Sequence, residues 1–242
     1  MSGNRLLGHF VRAQLPLIAV LGLSSLLSVS LVLFRVAYSD TIFYAFMVWN
    51  LFLAWVPLGC AFVLWWLERT PRRPVFAMLL LFGGWFFFFP NAPYIVTDLI
   101  HLRHHYNVPI WYDAMLVFSF AWNGIILGLM SLWIVQRLFA GWYGRWMGWM
   151  LVGVTLVASG FGVYLGRFER WNSWDIVADP QSLVLDMLDR LLNPMAHPRT
   201  LVVTMMFAAF LSVAYLTLTV LVNSNWHEDG ASEERPQAPV FG

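Results

Sequence analysis

A series of long apolar runs constrains this chain more than any other feature of its sequence. A helix needs about twenty apolar residues to cross the hydrocarbon core of a bilayer. We predict six such helices, at residues 15–34, 42–67, 75–96, 115–134, 150–165 and 201–222. Only 11% of the residues are charged, compared with about 25% in soluble domains. The predicted fold class is therefore all-α: a polytopic membrane protein built as a bundle of six transmembrane helices.

The predicted organisation is one transmembrane domain, residues 1–222, followed by a disordered polar tail at 223–242. Six spans place both termini on one side of the membrane. The short connection at 68–74 carries three arginines and the one at 35–41 carries a single arginine. Because short cytoplasmic loops are enriched in basic residues, we expect both termini in the cytoplasm. The first run is too long for a signal-peptide core and has no small-residue cleavage site, so we expect it to stay uncleaved.

Composition also excludes several kinds of function. A net charge of +1 provides no basic surface for nucleic acid. The single cysteine, Cys60, excludes an intrachain disulfide and a metal site made of cysteines. All 14 basic residues are arginines, so chemistry through a lysine Schiff base is excluded as well.

The third apolar run ends in four phenylalanines, residues 86–89, followed by Pro90 and Pro93. Proline has no backbone N–H and kinks or ends a helix. Two interpretations are open: a kinked helix that continues to Val96, or a break at membrane depth, which needs surrounding protein or a water-filled cavity. Asn91 and Pro93 suit the N-cap and first turn of a new helix over residues 94–105.

That helix would carry a stripe of polar side chains on one face, since their spacing matches the helical repeat: Tyr94, Asp98, His101 and His105. Carboxylate and imidazole groups suit acid–base catalysis or a divalent metal such as zinc. We predict catalytic roles for Asp98, His101 and Asp113. The predicted metal ligands are Asp98, His101 and His105, with Asp113, His104 or His197 as a fourth. The alternative is an interfacial amphipathic helix whose histidines bind only water and headgroups.

A second polar segment, residues 160–175, follows the fifth run. Its guanidinium groups suit phosphate or carboxylate, and its tryptophans are typical of a membrane interface. We predict a site for an anionic headgroup formed by Asn91, Tyr94, Arg167, Arg170, Asn172, Trp174 and Asp175. The alternative is a network of arginines and carboxylates that only fixes the loop over the bundle.

Other polar residues have simpler interpretations. Residues 181–192 form an amphipathic pattern, which predicts a short helix with Leu183, Leu185, Leu188 and Leu192 buried and Asp186, Asp189 and Arg190 solvated. Residues 142–149, rich in tryptophan, are predicted as an interfacial loop. Gly124 and Gly128 allow close helix packing. The polar residues within the spans are assigned to interhelical hydrogen bonds: Asn50, Ser119, Asn123 and Ser159.

Three segments together resemble one family: residues 88–102 (FFPNAPYIVTDLIHL), residues 111–115 (WYDAM) and residues 160–177 (GFGVYLGRFERWNSWDIV). Their order and spacing are similar to the uncharacterised bacterial family called domain of unknown function 1361. The resemblance covers most of the chain from the second span to the sixth. It implies a multi-span protein of the bacterial inner membrane, and it implies no reaction.

Three functions are consistent with these patterns. The first is a membrane-embedded enzyme acting on a lipid or a lipid-linked anionic headgroup at the outer face, and it predicts that Asp98, His101, Arg167 and Asp175 converge in one cavity. The second is a binding or assembly subunit that docks another envelope protein through a flat polar cap. The third is a small-solute transporter, which predicts a polar path reaching Asn50 or Asn123.

Overall fold

The computed structural model describes residues 3–102, 108–169, 171 and 178–233, with side chains described between 16 and 222 in those ranges. All regular elements there are helical. The long helices are α1 (Gly3–Ser39), α2 (Phe46–Glu68), α3 (Val75–Phe88), α5 (Ile110–Tyr143), α6 (Arg145–Tyr164) and α8 (Pro198–Glu233). The shorter elements are α4 (Asn91–Tyr94), a 3-10 helix (Ile95–His101), a π-helical turn (Leu165–Glu169) and α7 (Pro180–Leu192).

Six segments of the described chain are long and apolar enough to cross a membrane, which confirms the predicted all-α polytopic fold. They are Pro16–Ser39, Phe46–Glu68, Val75–His101, Ile110–Tyr143, Arg145–Glu169 and Pro198–Val222. The predicted loop at 142–149 is wrong, because only Gly144 separates α5 from α6. Its φ of 91° lies in a region that glycine adopts without strain. A single residue therefore reverses the chain.

Helix α5 is the centre of the bundle and packs against α1, α2, α4, α6 and α8. In its most apolar stretch 61% of the residues are buried, compared with 17% in α1. The apolar side chains that α1 leaves exposed suit contact with lipid, where the hydrophobic effect gives no reason to bury them. The outer helices thus enclose α5 and face the bilayer.

The chain continues through the proline break as a kinked helix, the first of the two predicted alternatives. Phe89 and Pro90 keep right-handed helical angles between α3 and α4. Asn91 is not the N-cap that its sequence position suggested. Pro90 holds that position, and the Asn91 side chain donates a hydrogen bond to the Phe88 carbonyl oxygen at 3.0 Å, because the helical turn leaves that oxygen within reach.

Two glycines allow α4 to lie between α5 and α6. A Cβ atom on Gly124 of α5 would overlap the backbone carbonyl oxygen of Ala92. A Cβ atom on Gly162 of α6 would lie 2.9 Å from the ring of Pro90. Small residues permit such close backbone approach between membrane helices. The glycines therefore fix the position of the break and of the polar residues that follow it.

Two predictions about the C-terminal part need correction. In α7 only Leu183 is buried, while Leu185, Leu188 and Leu192 are exposed. Arg190 has the opposite environment to the one predicted, since its side chain is 10% exposed and pairs with Asp186 and Glu169. Helix α8 extends to Glu233. Residues 234–242 lie outside the described part.

Candidate functional site

A cavity of about 600 Å³ opens beside the proline break, between α2, α3, α4, α6 and α7. Most of its walls are apolar, including Trp49, Leu53, Phe86, Phe87, Ala158 and Phe161. One part of the lining is polar and consists of Asn50, Asn91, Tyr94, Asp98, His101 and Arg167. The cavity is therefore amphipathic. Pockets with apolar walls and a few convergent polar groups are typical ligand sites.

Asp98 and Arg167, the cavity pair, form a salt bridge in the polar part. The Asp98 side chain is only 1% exposed. Arg167 Nη2 binds its Oδ1, and Asn50 Nδ2 donates to its Oδ2 at 3.0 Å. Buried charges are stable only when paired and hydrogen-bonded, so both carboxylate oxygens have the partners that burial requires.

Arg167 is held by three elements at once. Its Nε donates to Thr97 Oγ1 at 2.7 Å, and its guanidinium carbon lies 4.6 Å from the centre of the Tyr94 ring. The residue itself lies in the π-helical turn that ends α6, an element common at functional sites. Because Nε and Nη2 are both engaged inside the protein, Arg167 positions Asp98 and has less capacity to bind an anion than the sequence suggested.

His101 is a polar group of the cavity with unused hydrogen-bonding capacity. Its Nδ1 lies 3.8 Å from Asp98 Oδ1 and has no hydrogen-bond partner in the described part of the chain. The side chain is 34% exposed, and its ring packs against Phe46 with a centroid distance of 5.4 Å. An imidazole ring can both accept and donate a proton. His101 is therefore the candidate for proton transfer to a bound molecule.

Helix α7 closes one side of the cavity through Leu183 and Met187. Trp171, also in the lining, donates from Nε1 to Asp186 Oδ2 at 3.0 Å. Arg190 lies 3.0 Å from Asp186 Oδ1 and 2.9 Å from Glu169 Oε2. This network ties α7 to the end of α6. The network lies beside the cavity and includes Arg190 and Asp186 of α7, which the sequence did not assign to it.

Asp113, predicted to act with Asp98 and His101, does not line the cavity. It pairs with Arg35 of α1, from Oδ1 to Nε at 2.7 Å and from Oδ2 to Nη2 at 3.2 Å. The two side chains are 0% and 1% exposed. The structure therefore does not bring Asp113 into the cavity with Asp98 and His101, since a guanidinium 78 positions away binds both of its oxygens.

Tyr44 lies between Arg35 and the backbone of His101. The Arg35 guanidinium lies 4.7 Å from the centre of its ring, and its hydroxyl donates to the His101 carbonyl oxygen at 3.3 Å. Burial, and after it the nearby charge of Asp113, raises the pKa of Tyr44 to about 12. The phenol therefore stays protonated and remains a hydrogen-bond donor at physiological pH.

The structure brings together five of the predicted site residues: Asn91, Tyr94, Asp98, His101 and Arg167. His197 lies elsewhere, 2.8 Å from Asp189. The remaining candidates fall outside the described residues: His104, His105, Arg170, Asn172, Trp174 and Asp175. In the described ranges no three His, Cys, Asp or Glu side chains form a group that would hold a metal.

Two residues of the site have partners that only the structure identifies. Asn50 makes the interhelical hydrogen bond that its position in an apolar span suggested, and its partner is Asp98. Thr97 receives the Arg167 Nε–H. The signal for Asn50 was its polarity within the second span. A threonine beside an aspartate carries no comparable signal.

Comparison with known proteins supports the family resemblance. A family model described as "Protein of unknown function (DUF1361)" matches residues 49–214, which is more than half of the chain. The matched segment contains every described polar residue of the cavity. No curated protein and no solved structure matches the chain.

Proposed function

The chain belongs to DUF1361, a family of uncharacterised proteins, and we propose from the site that it binds a lipid or lipid-linked molecule and acts on its headgroup. We further propose that it is a multi-pass protein of the bacterial inner membrane, with both termini in the cytoplasm and the cavity towards the outer face. Arginines in the connection after α2 support this orientation.

The observation that carries the proposal is the division of the cavity into apolar walls and a polar part. Trp49, Phe86 and Phe161 suit a hydrocarbon chain, and Asp98, His101 and Asn91 suit a hydrogen-bonding headgroup. A molecule with a hydrocarbon chain and a polar headgroup would contact both kinds of lining. A purely polar solute would leave the aromatic walls in contact with water. Acyl and polyprenyl lipids have this construction.

The proposed chemistry is proton transfer by His101. Its imidazole would accept a proton from a headgroup hydroxyl or donate one to a leaving oxygen, and the carboxylate of Asp98 would orient the ring. The present distance of 3.8 Å between them is longer than a hydrogen bond, and such contacts commonly shorten when a substrate binds. Arg167 and Asn50 would hold Asp98 in place.

A divalent metal at Asp98, His101 and His105 remains a second proposal for the same site. It is favoured less by the geometry, because Arg167 and Asn50 already bind the Asp98 carboxylate oxygens. Metal content, measured by mass spectrometry for the purified wild type, Asp98→Ala and His101→Ala, distinguishes a metal site from proton transfer by His101 alone. Stoichiometric metal that both variants lose would favour the metal site.

The alternatives have less support. A docking subunit was expected to present a flat cap, whereas the polar residues line a concave cavity. A transporter was expected to have a polar path that continues beyond Asn50. The lining of the cavity also includes Leu53, Phe86 and Phe161, whose side chains offer no hydrogen bonds to a polar solute. Asn123 donates instead to Ser28 Oγ and two backbone carbonyl groups.

The binding step is tested by filling the cavity. Ala158→Trp places an indole in the lining, and Ala209→Trp places the same group on the exposed surface of α8. We expect wild type and Ala209→Trp, purified in mild detergent, to retain one amphipathic molecule identifiable by mass spectrometry. Ala158→Trp should lose it while eluting as a folded protein. Equal retention by both variants would rule out the cavity as the binding site.

The chemical step needs a separate experiment. Purified wild type and His101→Gln are incubated with a total lipid extract, and the consumed and formed species are compared by untargeted mass spectrometry. We expect a lipid conversion by wild type that His101→Gln lacks although it still binds lipid. Conversion at the same rate by both proteins would remove His101 from the mechanism.

A further inference from the structure

A second cavity, of about 480 Å³, lies at the opposite end of the bundle, where α2 and α5 end. Its lining includes Trp65, Glu68, Arg69, Arg73, Trp133 and Arg137. None of these residues contributes to the first cavity. We call it the arginine pocket.

Two of its arginines lie over tryptophan rings. The Arg69 guanidinium carbon is 3.4 Å from the centre of the Trp65 ring, and that of Arg137 is 4.2 Å from the centre of the Trp133 ring. Stacking uses the flat face of a guanidinium and leaves the N–H groups at its edge able to donate. One of these donors, Arg69 Nη1, binds the Trp65 carbonyl oxygen at 3.2 Å. The stacked rings thus hold the arginines in place.

The pocket has an excess of positive charge. Its lining contains three arginines and one carboxylate, and that carboxylate, Glu68, lies 3.1 Å from Arg73. Among the described residues, no carboxylate lies within ion-pair distance of Arg69 or Arg137. Two guanidinium groups that share one concave site therefore lack a described anionic partner.

We propose that the arginine pocket binds the phosphate of an anionic phospholipid. Guanidinium groups donate paired hydrogen bonds to phosphate oxygens. The pocket also lies where the second candidate span ends, at Glu68, and tryptophan and arginine are typical of that depth in a bilayer. Ile134 and Leu138 in the lining give the glycerol and upper acyl segments an apolar surface, which a free phosphate ion would not use. This site is independent of the function proposed for the first cavity.

The chain provides a matched control for a test of this site. Arg69→Gln with Arg137→Gln removes the two stacked charges. Arg72→Gln with Arg145→Gln removes two exposed arginines outside the pocket, one from the connection after α2 and one from the start of α6. Both double variants change the net charge equally. Native mass spectrometry of the full chain in detergent measures binding of phosphatidylglycerol, phosphatidylcholine, glycerol phosphate and inorganic phosphate.

We expect wild type and the control variant to bind phosphatidylglycerol with similar affinity. The pocket variant should bind it about tenfold more weakly, as expected for the loss of charge-assisted hydrogen bonds. Phosphatidylcholine should bind more weakly than phosphatidylglycerol to wild type. Equal weakening in the two double variants would show nonspecific surface charge and overturn the site. Glycerol phosphate or inorganic phosphate binding as tightly as the lipid would overturn the lipid as its ligand.

Discussion

The described part of the chain contains two deeply buried arginine–aspartate pairs, and they differ in what surrounds them. Arg35 and Asp113, the closed pair, are almost fully buried, and Arg35 also donates to Thr41 Oγ1 at 2.9 Å. Asp98 and Arg167, the cavity pair, line a space of about 600 Å³ together with His101. The closed pair has its partners within the protein, and the cavity pair has room for a ligand beside it.

Burial and charge alone therefore do not mark a functional site in this protein. Both aspartates bind an arginine, Asp113 through both carboxylate oxygens and Asp98 through Oδ1, and both lie in helical spans. The distinguishing feature is the cavity and the unpartnered Nδ1 of His101. We assign a stabilising role to the closed pair and a functional role to the cavity pair, and the following predictions test that division.

Loss of one member of the closed pair should have the largest effect on stability. Asp113→Ala leaves the Arg35 charge buried without its partner, which typically costs about 3–5 kcal/mol. The double variant Arg35→Met with Asp113→Leu removes both charges and should recover most of that loss. Thermal unfolding in detergent measures both. A stable Asp113→Ala protein would contradict the structural role of the pair.

A substitution that displaces the proline break should have the next largest effect on stability. Gly124→Ala adds a methyl group against the Ala92 carbonyl oxygen, and overpacking of this kind typically costs about 1–3 kcal/mol. Because α4 precedes Asp98 by only a few residues, lipid binding should fall as well. Gly153→Ala is the matched control, since no heavy atom lies within 4 Å of the added Cβ. Equal unfolding temperatures for the two variants would mean that α4 does not pack closely on α5.

His101→Gln should change function more than stability. Its Nδ1 makes no hydrogen bond in the described structure, so the free energy of unfolding should change by no more than about 0.5 kcal/mol. Lipid conversion should be lost, for the reason given above. Unfolding and lipid conversion measured on the same preparation separate the two effects. A large loss of stability would place His101 with the closed pair as a structural residue.

Loss of the exposed pair formed by Asp189 and His197 should have the smallest effect on stability. This pair is exposed to solvent, in contrast to the buried closed pair. The Asn193 side chain and then His197 hydrogen-bond the Asp189 carboxylate, and together they lower its pKa. A pKa below the unfolded value of about 3.9 stabilises the fold above that pH, and the contribution disappears as pH falls through the folded pKa. Asp189→Asn should therefore unfold at a slightly lower temperature than wild type near pH 6.

Acid should abolish the difference between Asp189→Asn and wild type, because both carry a neutral side chain at position 189 below the folded pKa. Unfolding temperatures measured from about pH 6 down to about pH 1 provide the check. A difference that persists unchanged at low pH would mean that the Asp189 charge is not its origin.

The sequence predicted the local parts of this structure and missed the pairings between distant parts. Apolar length located six spans, and the spacing of Tyr94, Asp98 and His101 placed them together because a short helix fixes their relative positions. Sequence could not assign partners to the aspartates, since Arg167 lies 69 positions from Asp98 and Arg35 lies 78 from Asp113. Which arginine meets which aspartate depends on how α1, α5 and α6 pack, and no local pattern records that packing.

The same dependence on packing explains why the buried and exposed sides of α7 were predicted incorrectly. Its leucines were assigned to the interior because amphipathic helices in water bury their apolar side. In a membrane protein, exposed Leu185 and Leu188 are compatible with lipid, and the charged Arg190 is the group that needs protein partners. It finds them in Asp186 and Glu169.

The most direct test of the division between the two pairs is the amount of bound lipid per protein in two double variants. Asp98→Asn with Arg167→Gln neutralises the cavity pair, and Arg35→Met with Asp113→Leu replaces the closed pair. Mass spectrometry of the folded fractions should find the lipid lost from the first variant and retained by the second. Retention by the first variant with loss from the second would contradict the assignment and place function at the closed pair.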